Sequence, residues 1–104
     1  MRERVRQDTF ERVVTRAGWK CQRCGVHASS VHIELHHVLG RQPCVLVNED
    51  DNCLMLCRVC HNWWHEHKKT ALDWFGQTFG WDRLAKLHLI RRGTKYVGAA
   101  TEDR

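Results

Sequence analysis

Two cysteine pairs at the same spacing, Cys21-x-x-Cys24 and Cys57-x-x-Cys60, carry the first chemistry legible in this chain. A CxxC turn presents two thiolates to one ion, and two such turns complete a tetrahedral shell. Four sulfur ligands leave no open position, so the expected ion is a structural zinc. A redox CxxC would want a βαβ setting, which the pattern lacks. The second group is His36-His37, Asn52, His61 and His65. His61 and His65 stand at i and i+4 of an expected helix, so both imidazoles lie on one face and can meet one ion. His36 and His37 are adjacent at an expected strand end, so their side chains point to opposite sides. One can bind a metal while its neighbour faces a substrate. Metal-assisted phosphodiester hydrolysis asks for this division, a Lewis acid for the phosphate and departing oxygen and a base for the attacking water. A neutral imidazole, with an unperturbed pKa of ~6.5, suits the base.

On these residues the chain resembles the HNH, or ββα-metal, endonuclease family. The matching stretch runs from Glu34 to His65 through ELHHVLGR, the Asn of DDNCLMLC, and CRVCHNWWH. Cys21-x-x-Cys24 extends the likeness to the zinc-containing branch common in phages and bacteria. The spacing from the histidine pair to Asn52, His61 and His65 is similar to that of colicin-type DNases, which lack the cysteine pairs. The resemblance implies an α+β fold, a small ββα-metal core with a four-cysteine zinc knuckle pair and flanking N- and C-terminal helices. It implies His36 and His61 as ligands of one divalent catalytic ion, with His65 a further ligand, and His37 as general base. Asn52 would brace the loop between the strands and help orient His37. DNA would be nicked with weak sequence specificity, leaving 5′-phosphate and 3′-hydroxyl ends. Many relatives surround the ion with Asp, or with His and Asn, which suits magnesium. Three imidazoles suit zinc, nickel, cobalt or manganese better. Likeness to stand-alone phage proteins adds packaging or recombination proteins as partners, in the cytoplasm of a bacterial host.

The remaining sequence sets the frame. At 104 residues the chain is expected to be a single domain spanning 1–104, short enough that a metal staple is unsurprising. Seventeen Lys+Arg against 12 Asp+Glu give a net charge of +5, which fits a polyanion such as DNA. No apolar run reaches membrane-spanning length, and the charged N-terminus lacks the apolar segment of a signal peptide. A cytoplasmic setting would keep thiols reduced and favour metal over disulfides.

The expected elements are a helix over Arg4–Arg16 stopped near Gly18, a knuckle, and a strand over Val31–Leu35 ending at the histidine pair. A loop over Gly40–Asp51 follows, with an extended piece at Val45–Val47. Helical periodicity then runs from Leu56, and again from Ala71 to Arg92 with breaks near Gly76 and Gly80. Arg41 is a candidate phosphate clamp, since a guanidinium binds phosphate bidentately. Lys68 and Lys69 read as the cationic end of the metal-bearing helix, where the dipole favours them. Arg2, Arg4 and Arg6 read as a solvated face, Arg91 and Arg92 as charge that could face DNA. Trp63 and Trp64 read as packing, with base stacking the lesser option. Cys44 and Cys53 read as small, partly buried apolar residues, and His32 as an exposed histidine on the strand face of His36. Two further readings compete with a nuclease: a non-catalytic zinc-finger DNA-binding module and a structural zinc adaptor for protein. Neither gives His36, His37, Asn52, His61 and His65 a joint role.

Overall fold

The computed structural model describes residues 3–93 of the chain. Arg2 and residues 101–104 lie outside them. The described residues form a small α+β structure: a two-stranded antiparallel sheet with one helix before it and three after it.

Helix α1 (Gln7–Arg16) buries Thr9, Val13 and Val14. It starts three residues later than its apolar spacing predicts, because residues 3–6 are held as an extended strap. The Asn48 side chain is responsible: Oδ1 accepts the Arg6 N–H at 2.8 Å and Nδ2 donates to the Arg4 carbonyl at 2.9 Å. A backbone held by a side chain 40-odd residues away is withdrawn from the helix ladder. Gly18, at φ 69°, stops the helix in the left-handed conformation expected of it.

Strand β1 (Ile33–His37) contains the histidine pair, and it pairs with β2 (Cys53–Cys57) in the register Ile33↔Cys57 to His37↔Cys53. Sequence periodicity assigns no strand to β2 and begins a helix at Leu56. The cause is burial on both faces. Cys53 and Met55 pack with Val13 and Val14 of α1, while Leu54 and Leu56 pack into the main core with Trp64, Phe75 and Leu87. A strand covered on both sides reads as a continuous apolar run without alternation.

The β1–β2 connection is not extended at Val45–Val47. It coils into short 3-10 helices at Cys44–Asn48 and Asp50–Asn52, closed by hydrogen bonds such as Leu46 N–H to Pro43 O at 2.9 Å. Helix α2 (Arg58–Glu66) therefore begins directly after β2, and α3 (Lys68–Phe79) and α4 (Trp81–Arg92) follow. The expected break near Gly80 is present, at φ 106°, whereas Gly76 lies inside α3. The carboxylates of the connection fasten it to α1 and α4: Arg12 Nε meets Asp50 at 2.7 Å and Lys86 Nζ meets Asp51 at 2.8 Å.

Candidate metal centres

The first CxxC forms a turn after α1, in which Cys21 N–H reaches Val26 O and Gly25 N–H reaches Cys21 O, both at 2.9 Å. Gln22 docks that turn onto β2, with Gln22 N–H to Met55 O at 2.8 Å and Met55 N–H to Gln22 Oε1 at 2.9 Å. The second CxxC joins the last residue of β2 to the first turn of α2. The four sulfurs of Cys21, Cys24, Cys57 and Cys60 consequently lie within 4.8 Å of one another, and could hold a metal ion. Cys24 Sγ and Cys57 Sγ are 3.8 Å apart. A tetrahedral ion with sulfur bonds of about 2.3 Å needs sulfurs separated by roughly that distance. Arg23 approaches Cys60 Sγ at 3.4 Å while its guanidinium lies 3.6 Å from the Trp63 ring centroid. That places a positive charge beside the sulfur cluster and stacks it on an aromatic face.

A second cluster lies on the other face of α2. His61 and His65 share that face, and β1 delivers His36 to it. The ring centroids are 4.9 Å apart for His36–His61, 5.4 Å for His36–His65 and 4.9 Å for His61–His65. Their ligand atoms all fall within 4.8 Å of one another. His36 is 4% exposed, and its Nε2 is buried without a hydrogen-bond partner. A buried polar atom left alone costs free energy, so it calls for a ligand. Burial, reinforced by His61 and His65, pushes the His36 imidazole down to about 3, and burial also lowers His65. Neutral imidazole is the form that ligates a metal.

Glu34 orients this cluster. Its Oε1 accepts from His61 Nδ1 at 2.6 Å, which leaves Nε2 of His61 as the atom free to ligate. The hydrogen bond from His61, then that from Arg58, holds the Glu34 carboxyl below its usual range. Glu34 is absent from the residues singled out by spacing, yet a signal exists: it lies two residues before His36 and so on the same strand face. His32, next along that face, is largely exposed and pairs with Glu34 at 3.8 Å instead of joining the trio.

His37 points away from the trio. Its Nε2–H donates to Val47 O at 3.0 Å, which leaves Nδ1 as an acceptor. The expected strand-end alternation thus separates the two neighbouring rings. Asn52 is fully buried and staples the connection: Oδ1 accepts Leu39 N–H at 2.8 Å, and Nδ2 donates to Gly40 O and Leu46 O at 3.0 Å each. The Leu46 carbonyl it holds adjoins the Val47 carbonyl that holds His37.

Arg41 lines a cleft of about 290 Å³ together with Leu35, His36, His37, Gly40, His61 and His65. One of its guanidinium nitrogens donates to Glu3 O at 2.8 Å, so the N-terminal strap fixes its position. Lys68 and Lys69 start α3 rather than ending α2, so the helix dipole opposes them and cannot account for them. Trp64 is packing, 3% exposed and edge-on to Phe75. Cys53 is buried as expected, but Cys44 is exposed and both thiols are free. Comparisons with protein-family models, curated proteins and solved structures found no match to this chain.

Proposed function

We propose that this chain is a metal-dependent endonuclease of the HNH kind that hydrolyses DNA phosphodiester bonds, with zinc in the four-cysteine site. The observation that carries it is the buried, unpartnered Nε2 of His36 facing His61 and His65, beside a His37 turned away from them. A zinc-finger module or adaptor needs the cysteines alone and gives no use to that orphaned nitrogen.

The trio of His36, His61 and His65 would hold one divalent ion, and its all-nitrogen donor set favours manganese, cobalt, nickel or zinc over magnesium. An ion there supplies Lewis acidity to the scissile phosphate and to the departing 3′ oxygen. Nδ1 of His37 takes a proton from water as the water oxygen bonds to phosphorus and the P–O3′ bond breaks; the departing O3′ takes a proton from solvent, leaving 5′-phosphate and 3′-hydroxyl ends. Asn52 keeps the Leu46–Val47 carbonyls in place, so His37 stays in the tautomer that accepts at Nδ1. Arg41 grips a phosphate oxygen beside the cut.

The test is nicking of supercoiled plasmid by protein that keeps its cysteine-bound zinc, with Mg, Mn, Co, Ni or Zn added singly. Conversion to open circles with at least one ion, abolished by His37→Ala, is expected. Absence of cutting with every ion, while DNA is still bound, would favour the non-catalytic DNA-binding module.

A further inference from the structure

Among the described residues, some cations are neutralised by carboxylates and some are not. Those of α1 and α4 that face the β1–β2 connection are engaged: Arg12 with Asp50, and Arg16, Arg83 and Lys86 with Asp51. Of those beside the histidines, Arg58 pairs with Glu34 at 3.1 Å and Arg41 donates to the Glu3 carbonyl at 2.8 Å. A second cleft, of about 230 Å³, shares His36, His37, Gly40 and His65 with the Arg41 cleft and is lined in addition by Lys68 and Arg91. Neither cleft has a carboxylate in its lining. Among the described residues neither Lys68 nor Arg91 forms an ion pair, whereas the neighbouring Lys69 meets Asp73 at 3.9 Å. Lys68 also stands at the wrong end of α3 for the helix dipole. Unneutralised like charges in one depression repel each other, and an anionic ligand removes that cost.

We infer that Lys68 and Arg91 bind the DNA backbone in the cleft adjoining that of Arg41, so that the strand crosses the histidines with phosphates held on both flanks of the scissile one. This rests on the nuclease reading and adds to it a grip supplied by the last two helices. Arg91 arrives in the final turn of α4, and Lys68 in the first turn of α3, so packing of α3 against α4 sets their spacing. Each contact that neutralises a phosphate releases condensed counterion. The slope of log affinity against log salt should therefore fall by about 0.9 for each contact removed.

The experiment is fluorescence anisotropy of a labelled DNA duplex over a potassium chloride series, using zinc-loaded full-length His37→Ala protein as the non-cutting parent. Lys68→Gln and Arg91→Gln are each expected to weaken binding and to lower the salt slope by about 0.9. Lys69→Gln, outside the clefts, is expected to change neither. Retention of the parent's affinity and slope by both cleft variants would overturn this inference and leave the nuclease reading standing. A parent that binds no DNA would overturn both.

Discussion

At the scale of single residues, the histidines are only as good as the groups that aim them. Glu34 fixes His61 at 2.6 Å, and loss of such an outer partner typically costs about 10–100-fold in metal affinity. Glu34→Gln is therefore expected to weaken cobalt or nickel binding by about that factor in calorimetry. Unchanged affinity would reduce Glu34 to a partner for Arg58.

Burial holds His37 below its ordinary pKa, against the Val47 hydrogen bond, and the Arg41 charge adds to the lowering. A base works while neutral, hence above its pKa. The acid limb of the cutting profile should lie below ~6.5, and Arg41→Gln should move it upward. A limb that stays put in that variant would show that Arg41 does not act on His37.

Asn52→Ala would strand two backbone groups in the interior, the Leu39 N–H and the Leu46 carbonyl. At roughly 1–3 kcal/mol for each unsatisfied group, a loss of about 2 kcal/mol or more is expected in urea unfolding. The cutting rate should fall with it, because the loop that carries Val47 is released.

At the scale of elements, β2 is the piece on which both candidate metal centres hang. It brings Cys57 to the first knuckle and, through its register with β1, sets His36 over α2. The α3–α4 corner depends on a different fit. A Cβ on Gly76 would lie 2.3 Å from the Trp81 ring, so the ring packs where only glycine leaves room. Alanine is the better helix former by about 1 kcal/mol. Overpacking of this kind typically costs about 1–3 kcal/mol, so the net change expected for Gly76→Ala is destabilising. The loss should vanish in a Trp81→Ala background, read as coupling in a double-mutant cycle. Additive effects would mean that the ring swings aside at no cost.

At the scale of the whole molecule, a chain of this size has a limited core, and the four-cysteine site ties α1 and its knuckle to β2 and α2. Structural zinc contributes roughly 10–16 kcal/mol in small zinc modules, comparable with the entire stability of a typical domain. A strong chelator is therefore expected to abolish the cooperative thermal transition followed by far-UV circular dichroism, and to red-shift the tryptophan emission as Trp64 meets water. An unchanged melt would mean that the apolar core suffices without the metal.

Spacing alone specified the candidate ligand types and their pairing, because CxxC turns and an i, i+4 histidine pair are local geometry. It also fixed the opposed directions of His36 and His37, since adjacent strand residues must point apart. The tertiary structure alone decided the rest. Strand β2 was hidden because both its faces are buried, which erases the alternation that marks a strand. The start of α1, the role of Glu34 and the placement of Lys68 and Arg91 beside the histidines depend on contacts between segments far apart in the chain. No periodicity within one segment encodes a partner in another, so those parts of the site became legible only once the helices were packed on the sheet.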